Sequence, residues 1–223
     1  MTSSTPVTVI DYGAGNLLSV RHAVERCGHH VEMATTPDEI ASAEILILPG
    51  VGAFPSAMAR LTDAGLDEAI REFAAGGQPL LGICLGMQLL AEVGEEFGIH
   101  PGLGIIPGRV ARIPDAGADG GRLRVPFVGW AAVRRADASP GVSATDVLAE
   151  GPFVYFVHSF GFLPTSPDDV LATYRRGDGE IVAAVARGNV LGVQFHPERS
   201  GEAGLRFLSE FLAGRTQGGP SRA

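Results

Sequence analysis

The stretch Pro79-Leu80-Leu81-Gly82-Ile83-Cys84-Leu85-Gly86-Met87-Gln88-Leu89-Leu90 decides the fold class of this chain. Residues 80–83 are the kind of short apolar run that makes a strand covered on both faces. From Leu85 the apolar positions take helical spacing, which continues to Val93. No residue is left over for a loop, so Cys84 falls in a tight strand-to-helix turn. Such a turn projects its side chain from the carboxyl edge of a sheet. Gly82 and Gly86 leave room for the turn and for close backbone approach.

The same alternation repeats on the N-terminal side. Val7–Ile10, Val31–Ala34 and Ile45–Leu48 read as strands. Between them, Leu17, Val20, Val24 and Cys27 recur at helical spacing, with Asn16 placed to cap the helix start and Gly28 its end. Residues 37–43 predict a short helix, and residues 54–75 a longer helical stretch broken at Gly65. Strands alternating with helices in this way form a parallel sheet covered on both faces. After Gly98 the texture changes to strand-like runs at 103–113, 124–134, 153–160, 170–175, 181–187 and 190–195, separated by Gly and Pro. An amphipathic helix over 204–213 closes the chain. The expected fold is α/β: a mostly parallel central sheet flanked by helices, with antiparallel β additions in the C-terminal half. Residues 1–213 read as one domain, and the polar residues 214–223 as a disordered tail.

Composition narrows the function classes. Apolar residues make up 45% of the 223 and charged residues 19%, enough core to fold without a metal or disulfide. A net charge of −8 with no Lys/Arg cluster argues against a nucleic-acid partner. The two cysteines, Cys27 and Cys84, stand in unrelated contexts, which points to a reducing compartment. The segment Met1–Pro6 lacks the basic start and apolar run of a signal peptide, and no apolar stretch reaches the roughly 18 residues that span a bilayer. A cytoplasmic protein with no membrane partner is expected.

Most free cysteines are small buried hydrophobes. The Gly-x-Cys-x-Gly arrangement after an apolar strand favours a nucleophile at Cys84, because a helix N-terminus favours the thiolate. Cys27 lies on the apolar stripe of a helix and reads as core. A thiol nucleophile needs a base, and there are six histidines. His22, His29, His30 and His100 lie in polar or helix-flanking contexts, whereas His158 and His196 end aromatic or β-branched runs. Pro197 biases His196 toward an extended backbone, and period-two alternation then puts His196 and Glu198 on one side. A carboxylate there holds the imidazole Nδ1–H and fixes the tautomer. Cys84, His196 and Glu198 are the predicted triad.

The glycine-rich turn Pro49-Gly50-Val51-Gly52-Ala53-Phe54 follows the apolar strand 45–48 and predicts an oxyanion hole from the N–H groups of Val51 and Gly52 with that of Leu85. Asp11-Tyr12-Gly13-Ala14-Gly15-Asn16 begins like a dinucleotide-binding fingerprint, but Leu18 occupies its third glycine position.

Together, five collinear blocks resemble the class I, triad-type glutamine amidotransferases. They are Asp11–Asn16, Leu48–Gly52, Gly82–Leu90, Tyr155–Ser159 and Gln194–Ser200. Their wording is most similar to that of the glutaminase subunits of imidazole glycerol phosphate synthases. The resemblance implies that L-glutamine is the substrate and Cys84 attacks its side-chain amide. His196 then serves as acid and base, and Glu198 orients it. Gly52, Gln88, Glu96, His158 and Ser159 match the family's glutamine pocket. Trp130 and Tyr155 match positions at the partner interface and ammonia exit. The implied partner is a (β/α)₈-barrel cyclase, held as a heterodimer, that receives ammonia for histidine biosynthesis. No metal or cofactor is implied.

One block departs from the family. Where it usually reads Pro-His-Met-Gly-Trp-Asn, this chain has Pro126-Phe127-Val128-Gly129-Trp130-Ala131. Phe127 and Ala131 cannot make the hydrogen bonds of the polar residues they replace. A paralogue feeding ammonia to another synthase, such as one amidating a sugar, and a catalytically silent regulatory homologue are the alternatives.

Overall fold

A computed structural model describes residues 5–117, 121–136 and 146–214. The predicted tail after Gly214 lies outside the described residues.

The chain opens with β1 (Val7–Ile10), α1 (Leu17–Arg26), β2 (Val31–Ala34), α2 (Pro37–Ala41) and β3 (Leu46–Gly50). Next come α3 (Phe54–Asp63), α4 (Leu66–Ala75), β4 (Leu80–Cys84) and α5 (Leu85–Leu89). The second half holds β5 (Val93–Gly94), β6 (His100–Pro101), β7 (Gly108–Arg112), β8 (Phe127–Arg135), α6 (Asp146–Ala149) and β9 (Phe153–His158). It ends with β10 (Phe160–Pro164), β11 (Val170–Arg176), β12 (Gly179–Arg187), β13 (Val190–Val193) and α7 (Gly201–Ala213).

Among the described residues nine strands form the main sheet in the order β2-β1-β3-β4-β13-β12-β11-β8-β9. The first five pair in parallel and the remainder antiparallel. The C-terminal β additions therefore extend the parallel sheet, and a smaller sheet β10-β7-β5-β6 stands beside it.

The largely apolar strands β1, β3 and β4 divide their residues between two cores. Val7, Val9, Ile47, Leu81 and Ile83 face α1 and α7, packing with Val20, Val24, Phe207 and Leu208. Ile10, Leu46, Leu48 and Leu80 face the other way, onto Ile40 of α2 and onto α3 and α4 through Phe54, Leu61, Ile70 and Phe73. Period-two alternation with both faces covered leaves Thr8, itself buried, as the one polar residue in β1, β3 and β4.

Local signals set most helix ends. Thr36 and Glu39 form a reciprocal capping box at α2, with Pro37 in its first turn. Gly65, at φ +67°, takes the left-handed conformation that separates α3 from α4. Asn16 stands at the N-cap of α1 but makes no side-chain capping bond, contrary to expectation. The predicted helix 85–93 ends at Leu89. The Glu92 N–H donates to the Gly108 carbonyl at 3.1 Å, the Glu92 carboxylate accepts the Gly108 N–H at 3.0 Å, and Val93 enters the small sheet opposite Arg109. Among the described residues no helix is long and apolar enough to cross a membrane.

Register brings the chemistry-bearing residues to one edge. Gly50 of β3 lies opposite Cys84 of β4, and Val193 of β13 lies opposite Ile83, three residues before His196. The carboxyl ends of parallel strands are where open α/β sheets bind ligands.

Candidate active site

Cys84 is the last residue of β4 and the N-cap of α5, at φ +55° and ψ −110°. A side chain there is strained, and strain of this kind gathers at functional sites. The flanking glycines make the turn possible. A Cβ on Gly86 would run into the Leu48 carbonyl, and one on Gly82 would stand 2.8 Å from the Gly86 oxygen. The first turn of α5 thus lies against the backbones of β3 and β4, closer than any side chain permits. The sulfur is nearly buried, 3.6 Å from Gln194 Nε2 and 3.9 Å from the Val157 carbonyl.

His196 is held on three sides. Its N–H donates to the Tyr155 carbonyl at 2.9 Å, and its own carbonyl accepts from Ser200 Oγ at 2.6 Å. Its Nδ1 lies 2.8 Å from Glu198 Oε1. A carboxylate only accepts, so Nδ1 carries the proton. Glu198 belongs to the 3-10 turn Pro197–Arg199 rather than to a strand. The turn, not strand alternation, brings the carboxylate to the imidazole. Both side chains are almost fully buried, and Glu198 Oε2 has no hydrogen-bond partner among the described residues, so compensation for burying the carboxylate comes through His196.

The second imidazole nitrogen, Nε2, is buried and makes no aligned hydrogen bond. It lies within hydrogen-bonding reach of the Cys84 sulfur. Burial disfavours charge on the ring, but Cys84 and Glu198 together outweigh burial and push His196 up to about 10. The arrangement favours the protonated imidazole.

A cavity of about 240 Å³ opens over the sulfur and the imidazole. Val51, Gly52 and Leu85, the predicted oxyanion residues, line one side, with Gly52 at φ +104°. Gln88 and Glu96 line another side. Gln88 Nε2 is committed to the Phe160 carbonyl at 2.9 Å and Gln194 Oε1 at 2.8 Å. Glu96 accepts the Phe54 N–H at 2.7 Å, capping α3 from outside the helix. His158 and Ser159 complete the lining. His158 cannot offer a ring nitrogen there. Nδ1 lies 2.8 Å from the Phe160 carbonyl, which only accepts, so Nε2 is left to accept from the Tyr174 hydroxyl at 2.8 Å. Burial lowers His158 to about 4 and keeps it neutral.

Trp130 and Tyr155 lie away from the cavity, opposite each other on β8 and β9 with their rings edge-on at 5.9 Å. Trp130 is 53% exposed, whereas the Tyr155 ring lies 6.5 Å from that of His196 and beneath the Arg199 guanidinium. Phe127 and Ala131 alternate with the exposed Val128 and Trp130 and pack inward. Phe127 stacks on Tyr174 at 5.3 Å.

Two residues at the site were not singled out from sequence. Gln194, fully buried, ties Gln88 to Cys84, and its signal was a lone amide beside the apolar run 190–193. Tyr12 is buried near Cys84, and its hydroxyl has no hydrogen-bond partner among the described residues. Its loop folds on itself: Asp11 accepts the Gly13 N–H at 2.9 Å, and Arg60 donates to the Gly13 carbonyl at 2.7 Å. Cys27 packs against the core, its sulfur 3.6 Å from the Leu205 carbonyl.

The family model described as "Glutamine amidotransferase class-I" matches residues 8–214. This chain belongs to that family. The amidotransferase is 44% identical over 210 residues to "Imidazole glycerol phosphate synthase subunit HisH 1" of Legionella pneumophila, covering 92% of this chain and 98% of the relative. It is 47% identical over 206 residues to "Imidazole glycerol phosphate synthase subunit HisH" of Moorella thermoacetica, covering 92% and 93%. Among solved structures, "Structure of PurLQS from Thermotoga maritima" superimposes with a TM-score of 0.73 at 21% identity, over 94% of this amidotransferase and 98% of that chain, a likeness of fold.

Proposed function

We propose that this chain is the glutaminase subunit of an imidazole glycerol phosphate synthase, acting in the cytoplasm in histidine biosynthesis, with residues 1–213 forming one amidotransferase domain. The observation that carries the chemistry is the buried imidazole of His196, tied to Glu198 through Nδ1 and set beside the strained Cys84 thiol at the cavity floor. Identity near 45% to synthase subunits, over more than nine-tenths of each chain, supports the pathway.

In this reading the Cys84 thiolate adds to the side-chain amide carbon of glutamine. The oxygen takes up the negative charge, met by the N–H groups of Val51, Gly52 and Leu85. His196 Nε2 delivers its proton to the amide nitrogen, the C–N bond breaks, and ammonia leaves a γ-glutamyl thioester on Cys84. His196 then takes a proton from water, which attacks the thioester and releases glutamate with the free thiolate. Glu198 keeps the imidazole oriented and stabilises its charged form. Gln88, Glu96 and the backbone near Ser159 hold the amino-acid end of the substrate.

Ammonia passes to a (β/α)₈-barrel cyclase partner. There it reacts with the phosphoribulosyl-formimino carboxamide nucleotide to give imidazole glycerol phosphate and the aminoimidazole carboxamide ribotide. Docking uses the outer face of β8 and β9, where Val128, Trp130 and Phe153 lie 55%, 53% and 64% exposed. Phe127 and Ala131, which suggested a different acceptor, point away from that face.

The test pairs this chain with a barrel cyclase. Glutamine hydrolysis should rise when the partner and its nucleotide are added. Cys84→Ala should abolish glutamine-dependent synthesis and spare synthesis from ammonia. Glutamine turnover by Cys84→Ala would refute the nucleophile, and loss of the ammonia reaction would refute the division of labour. No response to the partner would favour an amidotransferase serving another synthase.

A further inference from the structure

Tyr12 lies just beyond β1 at the carboxyl edge of the sheet, with a side chain only 6% exposed. Its hydroxyl has no hydrogen-bond partner among the described residues. Native interiors rarely leave an O–H in that state, and each exception calls for an explanation. The ring packs in the same core as Phe54 and Leu85. The hydroxyl lies 2.8 Å from where a Cβ on Gly50 would stand, and the Gly86 nitrogen lies equally close to that point. Tyr12 is thus pressed against the Gly50 backbone from within the core, while Val51 and Gly52 line the cavity. Burial raises the phenol pKa, Cys84 raises it further and Arg60 lowers it, which places the hydroxyl within electrostatic reach of the sulfur.

The Gly50–Val51 peptide carries one of the N–H groups assigned above to the oxyanion. The carbonyl and N–H of a trans peptide point in opposite directions. When the Val51 N–H turns into the cavity, the Gly50 carbonyl turns toward the core, where the hydroxyl waits. Gly50 has no side chain to obstruct that rotation, and Gly52 already holds a backbone conformation that glycine adopts readily. We propose that Tyr12 is a positioning residue for the oxyanion hole: its hydroxyl donates to the Gly50 carbonyl and holds the Val51 N–H toward the oxygen of the tetrahedral intermediate. This rests on the amidotransferase reading of Cys84. The bond acts on the state in which charge develops on the substrate oxygen, so it lowers the barrier more than it tightens glutamine binding.

Tyr12→Phe removes one oxygen and keeps the ring. In the assembled synthase the glutamine kcat should fall about tenfold while KM stays within roughly twofold. Inhibition by glutamate γ-semialdehyde, whose adduct with Cys84 carries a tetrahedral oxygen, should weaken by the same factor. The rate and pH profile of Cys84 alkylation by iodoacetamide should not change. Unchanged kcat and unchanged aldehyde inhibition would overturn the proposal and leave the hydroxyl a structural orphan. A shifted alkylation profile would overturn it too, because the hydroxyl would then act on the sulfur. Cys84→Ala is assayed in parallel. If that variant still turns over glutamine, the underlying reading fails. If it is inactive and Tyr12→Phe behaves as wild type, only the role of Tyr12 fails.

Discussion

Replacing Cys84 by glycine and, separately, by alanine measures the strain in the elbow. Alanine keeps the Cβ and with it the cost of φ +55° and ψ −110°; glycine removes the Cβ. Strain at such a position is about 1–3 kcal/mol. Against that, glycine loses about 0.5–1 kcal/mol more conformational freedom than alanine on folding. The two terms leave Cys84→Gly about 1 kcal/mol more stable than Cys84→Ala, within a range of roughly 0–2 kcal/mol. At a position with ordinary negative φ the order would reverse by about 1 kcal/mol. For a chain of this size 1 kcal/mol moves the melting temperature by about 2–4 °C. Thermal and urea unfolding of the two variants decides the matter. A glycine variant that melts several degrees below the alanine variant would show that the turn stores no strain.

Three further outcomes follow from the site. Because His196 is raised to about 10, the folded chain binds that proton more tightly than the unfolded chain; the stability this contributes is complete below the ordinary value of 6.5 and drains as pH climbs toward 10. Cys84→Ala should bring the His196 titration down in an NMR experiment, and an unmoved midpoint would mean that the sulfur does not hold the proton. Glu198→Gln should lower glutamine-dependent kcat by roughly 100-fold or more while sparing the ammonia-dependent reaction, because the imidazole loses its orienting anion; near-normal steady-state rates would remove Glu198 from the mechanism. Trp130→Ala should weaken binding of the barrel cyclase by at least about tenfold, as loss of an exposed aromatic anchor does; unchanged affinity by calorimetry would move the docking face elsewhere.

The parallel half of the fold was legible because each strand and helix there follows from local pattern. Residues 80–84 and 45–50 are apolar throughout, and that continuity signals a strand between two layers. The helix predicted to Val93 failed for a non-local reason. Its spacing fits a helix, but pairing of Val93 with Arg109 and the grip of Glu92 on Gly108 draw the chain into a sheet. Within the site, the company of Cys84, His196 and Glu198 was legible, since each motif carries its own turn chemistry. The mode of the His196–Glu198 contact was not, because strand alternation stops at the extended His196 and Pro197 opens a 3-10 turn that places Glu198 against the ring. The commitment of His158 to the Phe160 carbonyl and Tyr174 depends on how β9, β10 and β11 are placed, and no local pattern encodes that. Tyr12 escaped notice because a phenol in a glycine-rich loop looks like ordinary turn decoration until its neighbours in space are known.

Tyr155 belongs to two assemblies at once. Outward, its ring braces the exposed Trp130; inward, its carbonyl grips the His196 N–H and its own N–H is gripped by Ser200. A subunit settling onto Trp130 of β8 would press, through the Tyr155 ring, on the neighbouring strand β9 whose backbone holds His196. In the proposed complex, docking on β8 and the seating of the imidazole would share Tyr155 of β9 as their common contact.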